Sequence, residues 1–147
     1  MKDLEAVEAE VRLRMFQLGA PVPRFRFEQT PIGDATPHIE NTRAKDGVPV
    51  YDWVISERGT EYDRKAVDGP ELLFITLDSL TCSIAQNAEL GSRVNNYSRW
   101  TWMQAHIVLM TRLDPVWGNR VARHYDEVLL ANPLSAEERA FSRNLGF

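Results

Sequence analysis

Near the start of the chain, apolar residues recur at steps of three and four: Leu4, Val7, Val11, Met15 and Leu18. That spacing lines them along one side of an α-helix. Asp3, Glu5 and Glu8 suit the positive end of its dipole, and Gly19 followed by Pro21 is a stop signal. The period then falls to two. Across Val22–Phe27, Val22, Arg24 and Arg26 alternate with Pro23, Phe25 and Phe27, which predicts a strand with its aromatic face turned inward. Residues 30–47 carry Pro31, Gly33, Pro37 and the turn signal Lys45-Asp46-Gly47, with a short strand expected around His38–Thr42. The strongest hairpin pattern follows. Tyr51, Trp53 and Ile55 alternate with Asp52, Val54 and Ser56, Glu57-Arg58-Gly59 supplies the turn, and Thr60–Val67 returns.

From Asp68 the period lengthens again. Asp68 and Pro70 open a helix whose apolar positions are Leu73, Leu77, Leu80 and Ile84, and Gly91 closes it. Ser98 or Asn96 caps a third helix running through Trp102, Met103, Ile107 and Met110 to Leu113. Asp114-Pro115 starts a fourth, with Trp117, Val121, Tyr125 and Val128 on its inner face, and Asn132-Pro133 breaks it. Ser135 through Glu138 reads as a capping box for a short last helix. The prediction is an α+β fold: an N-terminal helix, a small antiparallel sheet of three to four strands, then a helical C-terminal half of about four helices.

Composition narrows the class. At 147 residues the chain predicts one domain over 1–147, long enough to bury a core without a metal or disulfide. Hydrophobic residues make up 44% and charged residues 26%, which excludes a disordered chain. The net charge of −4 argues against a broad basic face, so no nucleic-acid partner is expected. The first residues are too charged for a signal peptide, and no apolar run approaches the ~20 residues of a membrane span. The expectation is a cytoplasmic protein that does not engage membranes.

The sequence offers little catalytic chemistry. Cys82 lies among Leu80, Ile84 and Ala85 with no cation to activate it, and reads as core. His38, His106 and His124 lack the short ligand spacing of a zinc site, so no metal and no cofactor are predicted. His106 shares the face of Met103 and Met110, and His124 lies between Val121 and Val128; both read as buried or half-buried structural residues, with a pair across two helices left open. No phosphate loop, dinucleotide fingerprint, zincin motif or nucleophile elbow is present. Arg24 and Arg26 beside Phe25 and Phe27 are explained by strand alternation more simply than by base stacking.

Two groups of residues suit partner contact. Glu57, Glu61, Asp63 and Asp68 gather on the hairpin and at the helix entrance, interleaved with Arg58, Arg64 and Lys65. These charges read as a surface lattice of ion pairs, a charged binding face, or, as the third reading, a carboxylate pair for acid–base work. Trp100 and Trp102 stand about 200° apart around their helix, so both cannot fill one narrow seam. Packing of both against the sheet and exposure of one as an anchor are the two readings.

The stretch YDWVISERGTEYDRKAVDGPELLF, continued by ELGSRVNNYSRWTWMQAHIVLMTRLDPVWGNR, resembles the immunity protein 63 family of bacterial polymorphic toxin systems. The resemblance is carried by Ser56-Glu57-Arg58-Gly59, Arg64-Lys65, and Asp68 with Glu71-Leu72-Leu73. It continues through Glu89-Leu90, Arg93, Arg99, Gln104 and Leu113-Asp114-Pro115-x-Trp117, and Gly69-Pro70 departs from the expected helix entry. The resemblance implies a non-enzymatic protein that binds and neutralises one cognate toxin made by the same cell. Glu57, Arg58, Glu61, Asp63, Trp100 and Trp102 are then the candidate partner-binding residues. A small regulatory or adaptor module, or a small-ligand-binding protein, is the alternative.

Overall fold

The computed structural model describes residues 2–93 and 96–147. In chain order its elements are α1 (Lys2–Leu18), β1 (His38–Lys45), β2 (Val48–Glu57), β3 (Thr60–Asp68), α2 (Gly69–Gly91), α3 (Arg99–Leu113), α4 (Pro115–Ala131) and α5 (Ala136–Phe141). Among the described residues the strands form an antiparallel sheet in the order β1-β2-β3, so the fold is α+β as the periodicity predicts. The chain divides into two compact units, Met1–Thr76 and Leu77–Phe147. No described helix is long and apolar enough to cross a membrane.

In the first unit the register pairs Ile39 with Trp53 and Tyr51 with Val67, which puts all four on one face of the sheet. Ile39, Tyr51 and Val67 form a buried core with Leu4 and Leu72, edged by Val7, Phe27, Trp53 and Ile75. The predicted stripe of α1 holds: Leu4, Val11, Met15 and Leu18 are buried. Glu8 shares that stripe and is only 4% exposed. Its carboxylate accepts the Phe27 N–H at 2.6 Å, and Arg12 Nη1 donates to the Phe25 carbonyl at 2.7 Å.

Those two bonds explain a correction. Val22–Phe27 is not a strand. Pro21 and Pro23 have no N–H to give a ladder. The Phe25 N–H turns back to Val22 O, and side chains of α1 take the next polar groups. Phe25 and Phe27 meet edge to face, with centroids 5.1 Å apart. Ladder contact begins only at Glu28, bridged to His38.

In the second unit the buried stripe of α2 is Leu77, Thr81, Ala85 and Glu89, while the predicted Leu80 and Ile84 are half-buried. Thr81 fits this apolar face because its hydroxyl donates to Leu77 O at 2.7 Å. One residue joins α3 to α4. The Asp114 N–H closes α3 on Met110 O, and its carboxylate opens α4 by accepting from Val116 N at 2.8 Å. Gly118 of α4 is buried where a Cβ would fall 2.7 Å from Thr111 Cα, so the two helices meet backbone to backbone.

Ser98 is the N-cap of α3 by position, yet its hydroxyl donates to Glu138 O at 2.6 Å instead of capping its own helix. Glu138 supplies what is missing: its carboxylate accepts from Arg99 N and from the Arg99 guanidinium. The predicted capping box between Ser135 and Glu138 is present in α5. His124 corrects a second expectation, for it is exposed. Gly118, Val121 and Tyr125 make a narrow stripe on α4, and His124 lies about 100° round from Tyr125.

Candidate partner-binding faces

Arg58 and Gly59 form the two-residue turn between β2 and β3, with φ of 51° and 81°. Left-handed backbone at both positions gives the turn whose twist matches the paired strands, and glycine takes it without steric cost. A second segment holds this turn from outside. Ala35 N donates to Ser56 O at 3.1 Å, and Arg58 N donates to Gly33 O at 3.3 Å. Asp34 thereby bridges to Glu57, a neighbour that nothing in the local sequence announces. Its carboxylate accepts from Thr36 N at 2.9 Å, and bonding to Thr36 holds its pKa below the ordinary value. Glu57 is half-buried; Arg58, Glu61 and Asp63 are exposed. The four hairpin candidates thus share one turn and its flanking strands.

The sheet face opposite the core carries a network of charges. Arg64 pairs with Glu61 at 2.8 Å, with Glu40, and with Asp52 at 3.5 Å. Arg43 reaches Asp52 at 2.8 Å, Asn41 donates to the same carboxylate, and His38 Nε2 lies 3.2 Å from Glu40. The Arg43 guanidinium holds Asp52 below the usual carboxylate range, and Arg64 does the same for Glu40. Of the predicted lattice, only Glu61 and Arg64 pair with each other among the described residues; the observed network centres on Arg64, and most of its acids come from β1 and β2. Strand pairing builds it, so local spacing could not reveal it. On β3, Lys65 is drawn over the Trp53 ring at 4.8 Å.

The tryptophans belong to the second unit, and both are half-buried. Trp102 donates its indole N–H to Tyr97 Oη at 2.8 Å and meets the Tyr125 ring edge to face at 6.0 Å. It lines an open groove of about 350 Å³ together with Leu90, Tyr97, Arg93, Glu89, Gln86 and Asn87. Arg93 spans the floor, held by both carboxylate oxygens of Glu89 and stacked 4.8 Å over Tyr97. Trp100 does not line this groove. The helix thus separates the two rings as their 200° spacing requires.

A buried polar cluster links the helices of this unit. His106 Nδ1 lies 2.5 Å from Tyr125 Oη, and its Nε2 lies 3.0 Å from Asp78 Oδ1, outside hydrogen-bond geometry. Burial pushes the Tyr125 phenol far above its ordinary value, so it keeps its proton. The partner of His106 is therefore Tyr125, where sequence raised His124. Burial also raises the Cys82 thiol, which disfavours the thiolate a nucleophile needs. Among the described residues, no group of three or more His, Cys, Asp or Glu is placed to hold a metal ion.

Fold and surfaces together describe a small α+β protein with an acidic hairpin in one unit and an open aromatic groove in the other. The family model of Immunity protein 63 matches residues 46–127, more than half of the chain, and the chain belongs to that family. The match contains the hairpin and both tryptophans and covers sequence from both units. No curated protein and no solved structure matches the chain.

Proposed function

We propose that this protein binds one cognate bacterial toxin directly and silences it, without catalysis of its own, inside the cell that makes both. The observation that carries the reading is membership of the immunity family over residues 46–127. In this reading residues 1–147 form one immunity module, which is supported by a match that draws sequence from both units. The contact face is the hairpin bearing Glu57, Arg58, Glu61 and Asp63; the helical unit's Trp100 and Trp102 are the alternative face. Toxins that act on nucleic acids or nucleotides carry basic clefts, and an acidic hairpin complements such a cleft. Complementary charge speeds encounter and fades with salt, since the field reaches only about 8 Å at physiological ionic strength. Buried aromatic or arginine anchors act chiefly on dissociation.

The test is coexpression with the toxin domain encoded beside this chain, followed by binding of the purified pair. Growth should be rescued, and a stable complex should form. The variant Glu57→Lys with Asp63→Lys should slow association at low salt while leaving the melting curve unchanged. Glu61 is left intact in it because Glu61 holds Arg64. Unchanged association by this variant would move the interface to the groove around Trp102. Failure of the parent to bind or protect would remove the immunity reading.

A further inference from the structure

Among the described residues no strand pairs with the outer edge of β3. The strand order leaves β3 at one end of the sheet, paired with β2 on one side only. Residues 60–66 are all exposed, and among the described residues no backbone hydrogen bond outside the helices and strands reaches residues 60–67. In an antiparallel ladder every second residue bonds to a given neighbour, so about four of the nine residues of β3 present both N–H and C=O outward. The opposite edge differs: Ile39 N donates to Glu28 O at 2.8 Å, which covers the start of β1.

Charge says what kind of strand this edge accepts. On and beside the hairpin, Arg64 is occupied by Glu40, Glu61 and Asp52, and Lys65 is drawn over Trp53. Asp68 is turned away to cap α2, accepting from Glu71 N at 2.9 Å. Glu57, Asp63 and the adjacent Asp34 form no ion pair among the described residues, and the exposed Arg58 of the turn is the cation next to Glu57 in the chain. Three acids against one cation favour a cationic occupant.

We propose that β3 docks the toxin by β-augmentation: an extended segment bearing lysine or arginine pairs with the free edge, and the hairpin acids select it by charge. Main-chain bonds would then supply affinity and side-chain charge the choice of partner. This rests on the immunity reading above and adds the mode of contact. Charged residues on a long edge also deter self-pairing. A second copy of this chain is therefore the other occupant that an experiment must separate.

Amide hydrogen exchange on the full-length, isotope-labelled chain does so, free and with a catalytically inactivated form of the neighbouring toxin domain. The outward amides of residues 60–66 should exchange rapidly in the free chain at any concentration and slow by at least about tenfold in the complex. A complex in which these amides exchange as fast as before would overturn the augmentation mode and leave the immunity function standing. Protection that grows with concentration of the free chain would assign the edge to a second copy and also overturn it. Absence of any complex would remove the immunity reading, and this proposal with it.

Discussion

Replacing Gly118 by alanine sets two effects of opposite sign against each other. An interior helix position gains about 1 kcal/mol when glycine becomes alanine. Here the new methyl would lie 1.9 Å from Thr111 Oγ1 and 2.7 Å from both Cα and Cβ of Thr111. Carbon atoms rest at about 3.5 Å or more, so the backbone contact alone is about 0.8 Å too close. The hydroxyl could rotate at the expense of its bond to Ile107 O, but the Cα can retreat only if α3 moves. Such movement is restricted because Asp114 alone joins the helices and terminates both. Overpacking costs about 1–3 kcal/mol, and a backbone clash belongs at or beyond the upper end. The net expectation is a loss of about 2 kcal/mol, or about 4–8 °C in Tm for a chain of this length. Urea titration followed by tryptophan fluorescence reads it, since Trp100, Trp102 and Trp117 lie on these two helices. Adding Thr111→Ala should recover only part of the loss, because the Cα remains. A Gly118→Ala variant as stable as the parent, or more stable, would show that the helices separate freely and refute the reasoning.

Four further outcomes follow from single residues. The Arg99 guanidinium beside Glu138 holds its carboxyl down to about 2, below its ordinary 4.5. Its stabilising contribution is therefore complete above the ordinary value and lost as pH falls towards 2, so the Tm gap between parent and Glu138→Gln should be widest near pH 6 and close by pH ~2; a gap independent of pH would refute it. Asp114→Ala removes the α4 cap and should cost about 1 kcal/mol in chemical denaturation. Glu8→Ala strands the Phe27 N–H, costing about 1–3 kcal/mol, and trypsin should cleave faster after Arg24 and Arg26. Iodoacetamide at neutral pH should modify Cys82 more slowly than a free cysteine, and urea should abolish the difference.

The elements with strong local signals were legible before the structure: the stripe of α1, the hairpin at Arg58-Gly59, and the caps at Asp68, Asp114 and Ser135. Each depends on residues within a few positions of one another. Val22–Phe27 misled because proline-spaced extended chain and a β-strand alternate alike; what separates them is the partner for each N–H, and Glu8 supplied it from 19 residues away. The sequence does carry a sign of that partner, since Glu8 stands one helical turn from Leu4 on the apolar stripe. The acids of the hairpin were readable as a group. Their inequality was not, because Arg64 is shared among Glu40, Asp52 and Glu61 only once three strands have paired. Likewise the meeting of Asp34 with Glu57 depends on a loop closing over a distant turn.

That closure bears on how such a surface can change over generations. The hairpin turn is held by Arg58 N to Gly33 O and Ala35 N to Ser56 O, bonds between main-chain atoms that survive exchange of most side chains. Glu57 and Asp63, which hold no ion pair among the described residues, can therefore drift one at a time while the backbone that displays them keeps its path. A recognition surface of the kind proposed above can then change its charges without changing the scaffold that displays them. Gly59 and Gly33, both at positive φ, are the positions where the drift must stop.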